Sequence, residues 1–341
     1  MIRIAVIGAG LIGRCHVEVI ERVDGAEVAC VVDPAPDTQT FAAERGLPWA
    51  ASIAEMLTRL RPDGAIIATP NTLHVPNGMD CVAAGMPILI EKPIADDTTT
   101  AQRLIDQAAT KAVPILVGHH RRHNPIISAA RARIDSGALG AIVAAHAQCW
   151  FYKPDQYFAT GWRKQKGAGP IFINLIHDID LMRHLIGEVD SVHAFRSSVT
   201  RGHAVEDTAV VSLRFANGAL GTVTVSDAIV APWSWELTAA ENPAYPATGQ
   251  SCYLIGGTRG SLEIPTGTVW SQDDAPSWWK PIHHHADAVP SIDPLDAQIA
   301  HFCDVINGAA PLVSGAEGLA SLKVIEAIHR SAETGMPVSL I

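Results

Sequence analysis

The sequence predicts an α/β protein in two parts, an N-terminal doubly wound parallel sheet and a C-terminal α+β domain on an open, largely antiparallel sheet. Three features predict it. Between Ile2 and Val117, short apolar, β-branched runs alternate with helix-compatible stretches, the pattern of buried parallel strands and their crossover helices. The first run stops at Gly8-Ala9-Gly10-Leu11-Ile12-Gly13, where a tight turn leads into a helix. Beyond Gly187 the apolar residues recur with period two instead.

A length of 341 residues suffices for two substantial cores. We divide them at residues 1–122 and 123–341, with the C-terminal helices expected to pack back on the first domain. With 48% hydrophobic and 18% charged residues, the composition is that of a globular chain rather than a disordered one. A net charge of -10 argues against nucleic acid as a partner. No apolar run approaches the length of a bilayer span, so no membrane is expected. The chain enters its first strand at once, so no signal peptide is expected either. Cys15, Cys30, Cys81, Cys149, Cys252 and Cys303 are scattered without a CxxC pair, as the reduced thiols of a cytoplasmic protein would be.

Arg3 to Ile7 forms the first strand. In the turn that follows, the first glycine permits the bend, the second lets the backbone approach a pyrophosphate, and the third lets the helix lie close on the strand. Free N–H groups and the helix dipole favour phosphate there. Gly8, Gly10, Leu11, Ile12 and Gly13 are therefore the expected dinucleotide contacts of a Rossmann domain. Val28 to Val32 reads as the second strand, and Asp33 follows Gly13 by roughly twenty residues, where a carboxylate accepts from the ribose 2'-OH. The same carboxylate repels a 2'-phosphate. NAD is the expected cofactor, with NADP the alternative.

Helices are expected over 38–45 and, capped by Ser52, through Leu60. Gly64 to Ala68 is a buried strand ending at Thr69-Pro70-Asn71, which opens a helix from about Leu73 to Ala84. Pro87 to Ile90 is the next strand, followed by Glu91-Lys92-Pro93 and a helix from about Thr98 to Thr110. Pro114 to Val117 closes a series read as six β-α units. Ligands bind at the carboxyl ends of such strands, which singles out Asp33, Thr69 to Asn71, Glu91 to Pro93 and Gly118 to Arg122. Lys92 is the most informative of them. Fixed between a strand end and a proline, and partly desolvated, it can donate or accept a proton or polarise a hydroxyl. On position alone, a solvated surface lysine is the equal alternative.

The glycine turn, Thr69-Pro70-Asn71 with His74, Glu91-Lys92-Pro93 and the later His177 together resemble the glucose-fructose oxidoreductase / inositol dehydrogenase / MocA family. Glu91-Lys92-Pro93 is the specific element, since many dehydrogenases share the glycine turn. The resemblance covers essentially the whole chain, including the helix around Ser321 to Ile328. It implies NAD(P)-dependent oxidation of a sugar, polyol or related alcohol, with Lys92 next to the reacting carbon and Thr69, Pro70, Asn71, His74 and Glu91 at the cofactor. Gly118 to Pro125 resembles the segment joining the family's two domains. His120 and Arg121 are candidate substrate contacts, and Arg121 and Arg122 could otherwise meet the pyrophosphate or form a solvated basic turn. Trp162-Arg163 resembles a Trp-Arg pair that reaches the cofactor in the family.

A helix is expected from Pro125 to Ser136, and Gly140 to Tyr152 reads as the first strand of a new sheet. Gly167-Ala168-Gly169-Pro170 then opens a helix that is apolar from Ile171 to Leu185 yet carries Asn174, His177, Asp178 and Asp180. Such residues need partners or a task when buried. An imidazole with a pKa of about 6.5 suits a base that takes a hydroxyl proton. A satisfied core histidine is the usual reading of a lone His here, but the resemblance places His177 at the catalytic position. Many family members carry an aspartate one helical turn before it, where this chain has Ile173. Asn174 is expected to take over part of that task, with Asp178 and Asp180 as alternatives.

In the strands over 208–215 and 220–226, one face is apolar and the other is flat with short polar residues. Solvent, or a second subunit's sheet as in the family, would cover the latter, and a homodimer or homotetramer is expected. Trp233, Trp235, Trp278 and Trp279 lie near loops, where core edges or interfaces are commoner than sugar platforms. His283-His284-His285, in an extended loop, point in alternating directions and form no metal site. Helices are expected from Asp293 or Pro294 to Asn307 and from Gly315 to Glu333.

The reading is a dehydrogenase acting between a nicotinamide and a secondary alcohol, its partner a small-molecule alcohol or carbonyl. Lys92, His177 and Asn174 are its catalytic residues, and these with His120 and Arg121 its substrate contacts. The alternatives are a dehydrogenase of a non-sugar alcohol such as an aromatic dihydrodiol, and an NAD-sensing regulator without turnover.

Overall fold

A computed structural model describes residues 1–287, 289–290 and 292–340. The chain divides into two units, Met1–Asn124 with Ile292–Leu322, and Pro125–Ser291 with Lys323–Ile341. In the first, β1 (Ile2–Ile7), α1 (Leu11–Arg22), β2 (Ala26–Val32), α2 (Pro36–Glu44), β3 (Trp49–Ala50), α3 (Ile53–Arg59), β4 (Gly64–Ile67), α4 (Asn71–Ala83), β5 (Ile88–Ile90), α5 (Thr98–Lys111) and β6 (Ile115–Val117) alternate. The strands form one sheet in the order β3-β2-β1-β4-β5-β6, all parallel. Strand order reverses between β1 and β4, the position where doubly wound sheets open a crevice for a ligand. The strand that no apolar run marks in the sequence is β3, two residues long. Helix starts follow local chemistry. Ser52 Oγ accepts from Glu55 N at 3.2 Å and Asp97 Oδ1 from Thr100 N at 2.8 Å, each satisfying an otherwise orphaned helical N–H.

The second unit contains α6 (Pro125–Asp135), β7 (Ile142–Trp150), α7 (Ile176–Ile186), β8 (Val189–Ser197), β9 (Thr208–Phe215), β10 (Leu220–Ser226), α8 (Trp235–Thr238), β11 (Tyr253–Gly257), β12 (Gly260–Ile264), β13 (Thr268–Ser271) and β14 (His283–Ala286). After α9 (Pro294–Ile306) and α10 (Gly315–Thr334), β15 (Val338–Ser339) completes a nine-stranded sheet in the order β14-β13-β12-β11-β7-β10-β9-β8-β15. Its pairs are antiparallel except β7 with β10, which run parallel with Leu220 opposite Ala144. Ala209, Val211, Leu213 and Phe215 of β9 face inward, where Ile179, Met182 and Leu185 of α7 join the same core.

Three expectations need correction here. The helix expected from Ile171 opens as a π-helical turn, Ile171–Leu175, before α7 begins. Glu206 caps that turn: its Oε1 accepts from Ile171 N at 3.2 Å, and a Cβ on Gly169 would lie 2.1 Å from that same oxygen. The three histidines form edge strand β14 rather than a loop, paired with β13 and exposed. The outer face of the large sheet is not purely polar, because Phe195, Val210, Leu220 and Leu254 stand exposed on it beside His146 and Thr222.

In the first unit α9 lies along α1, tied by Arg22 to Asp293 and Asp296. The start of α10 packs on β6, where a Cβ on Gly318 would meet the Val117 side chain at 2.8 Å. Arg122, expected as a candidate basic contact, is buried and paired with Glu317 of α10 at 2.9 Å.

Candidate functional site

The glycine turn is shaped differently at each of its three glycines. Gly8 has φ +91°, and a Cβ there would sit 2.8 Å from the carbonyl of Ala68 and the N of Thr69. At Gly13 a Cβ would be 1.9 Å from the Gly8 carbonyl oxygen, which no side chain survives. At Gly10 nothing lies within 4 Å. The outer two glycines therefore bring strand, loop and helix together, while the middle one fronts open space. Leu11, which starts α1, is 92% exposed, and no side chain caps the helix. Uncapped N–H groups facing open space at a helix start fit a pyrophosphate. Asp33, at the end of β2, accepts from Ala9 N through Oδ2 and from Ala35 N through Oδ1, both at 2.9 Å. Its carboxylate is thereby fixed beside the turn with lone pairs left for a ribose hydroxyl.

Two buried histidines then hold the loop that carries Lys92. His74 on α4 has Nδ1 2.8 Å from the Pro93 carbonyl oxygen and Nε2 2.9 Å from that of Thr69, and so clamps the loop after β5 to the turn after β4. Burial lowers its pKa while the two carbonyls favour the charged ring, and burial is the larger effect. A neutral ring donates to one carbonyl at a time. His16 on α1 has Nε2 2.8 Å from Glu91 Oε1, and Glu91 Oε2 accepts from Lys92 N at 3.2 Å. Burial alone would raise the pKa of Glu91, but the hydrogen bond and charge of His16, helped by Lys92 and His120, hold it at about 2. Glu91 and His74, both expected at the cofactor, are thus buried supports of the Lys92 loop. Thr69 Oγ1 accepts from Asn77 at 3.1 Å, Pro70 is exposed, and Asn71 starts α4. Arg121 is buried and His120 half-buried in the 3-10 turn His120–His123.

In the second unit His177 lies in the first turn of α7, buried with a sliver of its surface exposed. Asp178, offered as a stand-in for the missing carboxylate, is turned into the core, where the Tyr253 hydroxyl of β11 donates to Oδ1. Asp180 is buried as well. Asn174 has a different partner: its Oδ1 accepts from Lys153 Nζ at 2.8 Å. Lys153 is buried, and Asp227 Oδ2 lies 3.9 Å from its ammonium. Asp227 is itself held by Arg201, whose Nε donates to Oδ1 at 2.6 Å. Burial lowers the pKa of Lys153, against the pull of Asp227. Trp162 is exposed, and Arg163 stacks on Tyr157 at 4.1 Å while donating to its carbonyl.

Sequence reasoning missed Lys153, Asp227, Arg201 and His16. A signal for Lys153 was present, since Tyr152-Lys153-Pro154 follows β7 in the strand-lysine-proline order that singled out Lys92.

Residues 2–119 match the model of the oxidoreductase family with an NAD-binding Rossmann fold, and residues 127–263 match that of the GFO/IDH/MocA C-terminal domain. The chain belongs to the GFO/IDH/MocA oxidoreductase family. Among its curated relatives, the rhizopine catabolism protein MocA of Rhizobium meliloti is 27% identical, over 95% of this chain and 93% of the relative. The scyllo-inositol 2-dehydrogenase (NAD(+)) of Bacillus subtilis is also 27% identical, over 99% and 96%. Among solved structures, the WlbA dehydrogenase of Bordetella pertussis, in complex with NADH and UDP-GlcNAcA, aligns with a TM-score of 0.81 at 26% identity, over 100% of this chain and 99% of that one. This oxidoreductase thus has an NAD-binding Rossmann first unit.

Proposed function

We propose that this oxidoreductase oxidises a secondary alcohol of a sugar, inositol or related polyol, or reduces the matching ketone, with NAD as the redox partner. The observation that carries the reading is the clamp on Lys92: a lysine at a strand end, its loop fixed by two buried histidines, in a chain of this family. Bound NAD supplies the hydride acceptor. The Lys92 ammonium donates to the reacting oxygen and stabilises its developing charge, and His177 takes the hydroxyl proton. The scyllo-inositol dehydrogenase and a 1,5-anhydro-D-fructose reductase of Ensifer adhaerens, 26% identical over the full chain, support a polyol or sugar as substrate. Ile173 favours a second reading, a non-sugar alcohol such as an aromatic dihydrodiol, because an aliphatic side chain binds no polyol hydroxyl.

The test is a panel of sugars, inositols, sugar acids and diols, each with NAD and with NADP, scored by reduced-cofactor absorbance. Lys92→Ala and His177→Ala should each lower kcat by about 10²–10⁴-fold while leaving NAD affinity intact. Tight NAD binding without turnover of any alcohol would instead make the protein a sensor.

The six cysteines are all free thiols, which supports a cytoplasmic setting. No helix among the described residues is long and apolar enough to cross a membrane. The outer face of the large sheet, with Phe195 of β8 65% exposed and Leu254 of β11 49% exposed, supports a second copy of the chain as its cover and a homodimer or homotetramer as the assembly. Leu254→Glu with Phe195→Glu should then give monomers by light scattering. A monomeric parent protein would refute it.

A further inference from the structure

Lys153 is a cation that the proposed chemistry leaves unused. It emerges directly after β7, is 94% withdrawn from solvent, and makes one hydrogen bond from Nζ among the described residues, to Asn174 Oδ1 at 2.8 Å. An ammonium has three donors. The nearest carboxylate, Asp227, stands 3.9 Å away, too far for a hydrogen bond, and its other oxygen is held by Arg201. The Tyr157 ring lies 5.1 Å from Nζ, and the remaining charged or titratable neighbours are Glu236, Cys149 and Arg201. Two donors of a buried cation are therefore open, a costly arrangement unless a ligand fills it.

Asn174 extends the same set. Because its carbonyl oxygen accepts from Lys153, its amide N–H₂ is what it offers onward, and no described residue receives it. It stands on the π-helical turn that leads into α7, three residues before His177, and such turns recur at functional sites. Ile173 beside it contributes no acceptor. Where an aspartate would have offered acceptors to neutral hydroxyls, Lys153 and Asn174 offer donors, and donors on a buried cation select an anion.

We propose that Lys153 and Asn174 bind a carboxylate of the substrate, so that the alcohol this enzyme oxidises is a hydroxy or polyhydroxy acid rather than a neutral polyol. The inference rests on the dehydrogenase reading above and narrows it.

The experiment uses the full chain with NAD and matched pairs: D-gluconate with D-glucitol, D-galactonate with galactitol, and D-glucuronate with D-glucose. The best substrate should be an acid, exceeding its neutral partner in kcat/KM by at least about 100-fold, as the loss of a buried charged hydrogen bond implies. Lys153→Met should abolish that preference mainly through KM, by about 50-fold or more, with Lys153→Arg retaining most of it. A neutral best substrate overturns the inference and leaves the dehydrogenase reading standing. So does an acid preference that survives in a folded Lys153→Met protein. If that variant does not fold, the comparison of acid with neutral partner in the parent protein decides alone. No turnover across the whole panel overturns both.

Discussion

His16 Nε2 on α1 and Glu91 Oε1 at the end of β5 lie 2.8 Å apart with both side chains nearly withdrawn from solvent. The pair joins the helix that follows the glycine turn to the loop that carries Lys92, since Glu91 also accepts from the Lys92 N–H. Removing one partner leaves the other buried without its complement. Glu91→Ala should therefore destabilise the protein by about 3–5 kcal/mol in chemical denaturation. The folded pKa of Glu91 lies below its ordinary value, so the stability it contributes is present above about 4.5 and is lost as pH falls toward about 2. Glu91→Ala should flatten the acid limb of the stability profile, and an unchanged limb would refute the pairing.

Two glycines of the turn predict opposite outcomes. Gly10→Ala adds a methyl to open space at an ordinary φ of -69°, so the melting temperature should stay within a degree or two while the Kd for NAD rises about tenfold or more. Gly13→Ala meets the Gly8 carbonyl and should lose both stability and cofactor binding. Calorimetry with and without NAD separates the two. If Gly10→Ala binds NAD as the parent does, the pyrophosphate does not lie there.

The parallel strands of the first unit were legible because apolar runs bounded by turns need no long-range information, and β9 and β10 because period two marks a half-exposed strand. Other features depend on distant residues. Trp49–Ala50 is too short for any period and becomes a strand because β2 lies beside it. The π-helical turn is capped by Glu206, 35 residues beyond Ile171. Asp178 reads as an available carboxylate until Tyr253, 75 residues away, donates to it. Of the residues proposed for the chemistry, Lys92 and His177 stood out through motif and residue type. The supports of Lys92, His16 and Glu91, are 75 positions apart and make sense only once α1 packs on the sheet that holds β5.

Asp33 tests the choice of cofactor. Its carboxylate is fixed by the N–H groups of Ala9 and Ala35, so it cannot swing away from a 2'-phosphate without breaking both bonds. Asp33→Ser should raise KM for NAD about tenfold, the loss of one charged hydrogen bond, and lower KM for NADP as repulsion disappears. The NAD-to-NADP ratio of kcat/KM should fall by about 100-fold. An unchanged ratio would place cofactor choice elsewhere.

His74 links local chemistry to the stability of the loop that carries Lys92. Its ring bridges the carbonyls of Thr69 and Pro93, and burial lowers its pKa from 6.5. The folded protein thus resists protonation that the unfolded chain accepts. The stability contributed by the neutral ring is present above about pH 6.5 and declines as pH falls below it. His123 and His329, which burial takes to about 3 and about 4, add to the same slope, so the informative quantity is the difference between parent and variant. His74→Phe fills most of the volume but removes the ring N–H, leaving a buried carbonyl unbonded at a cost of about 1–3 kcal/mol near neutral pH. That difference should shrink toward pH 5, where the parent loses its own advantage. Because the clamp holds Pro93, the variant should also lose kcat through a displaced Lys92 while keeping its affinity for NAD. A full kcat in a variant destabilised by this amount would show that Lys92 does not depend on the clamp.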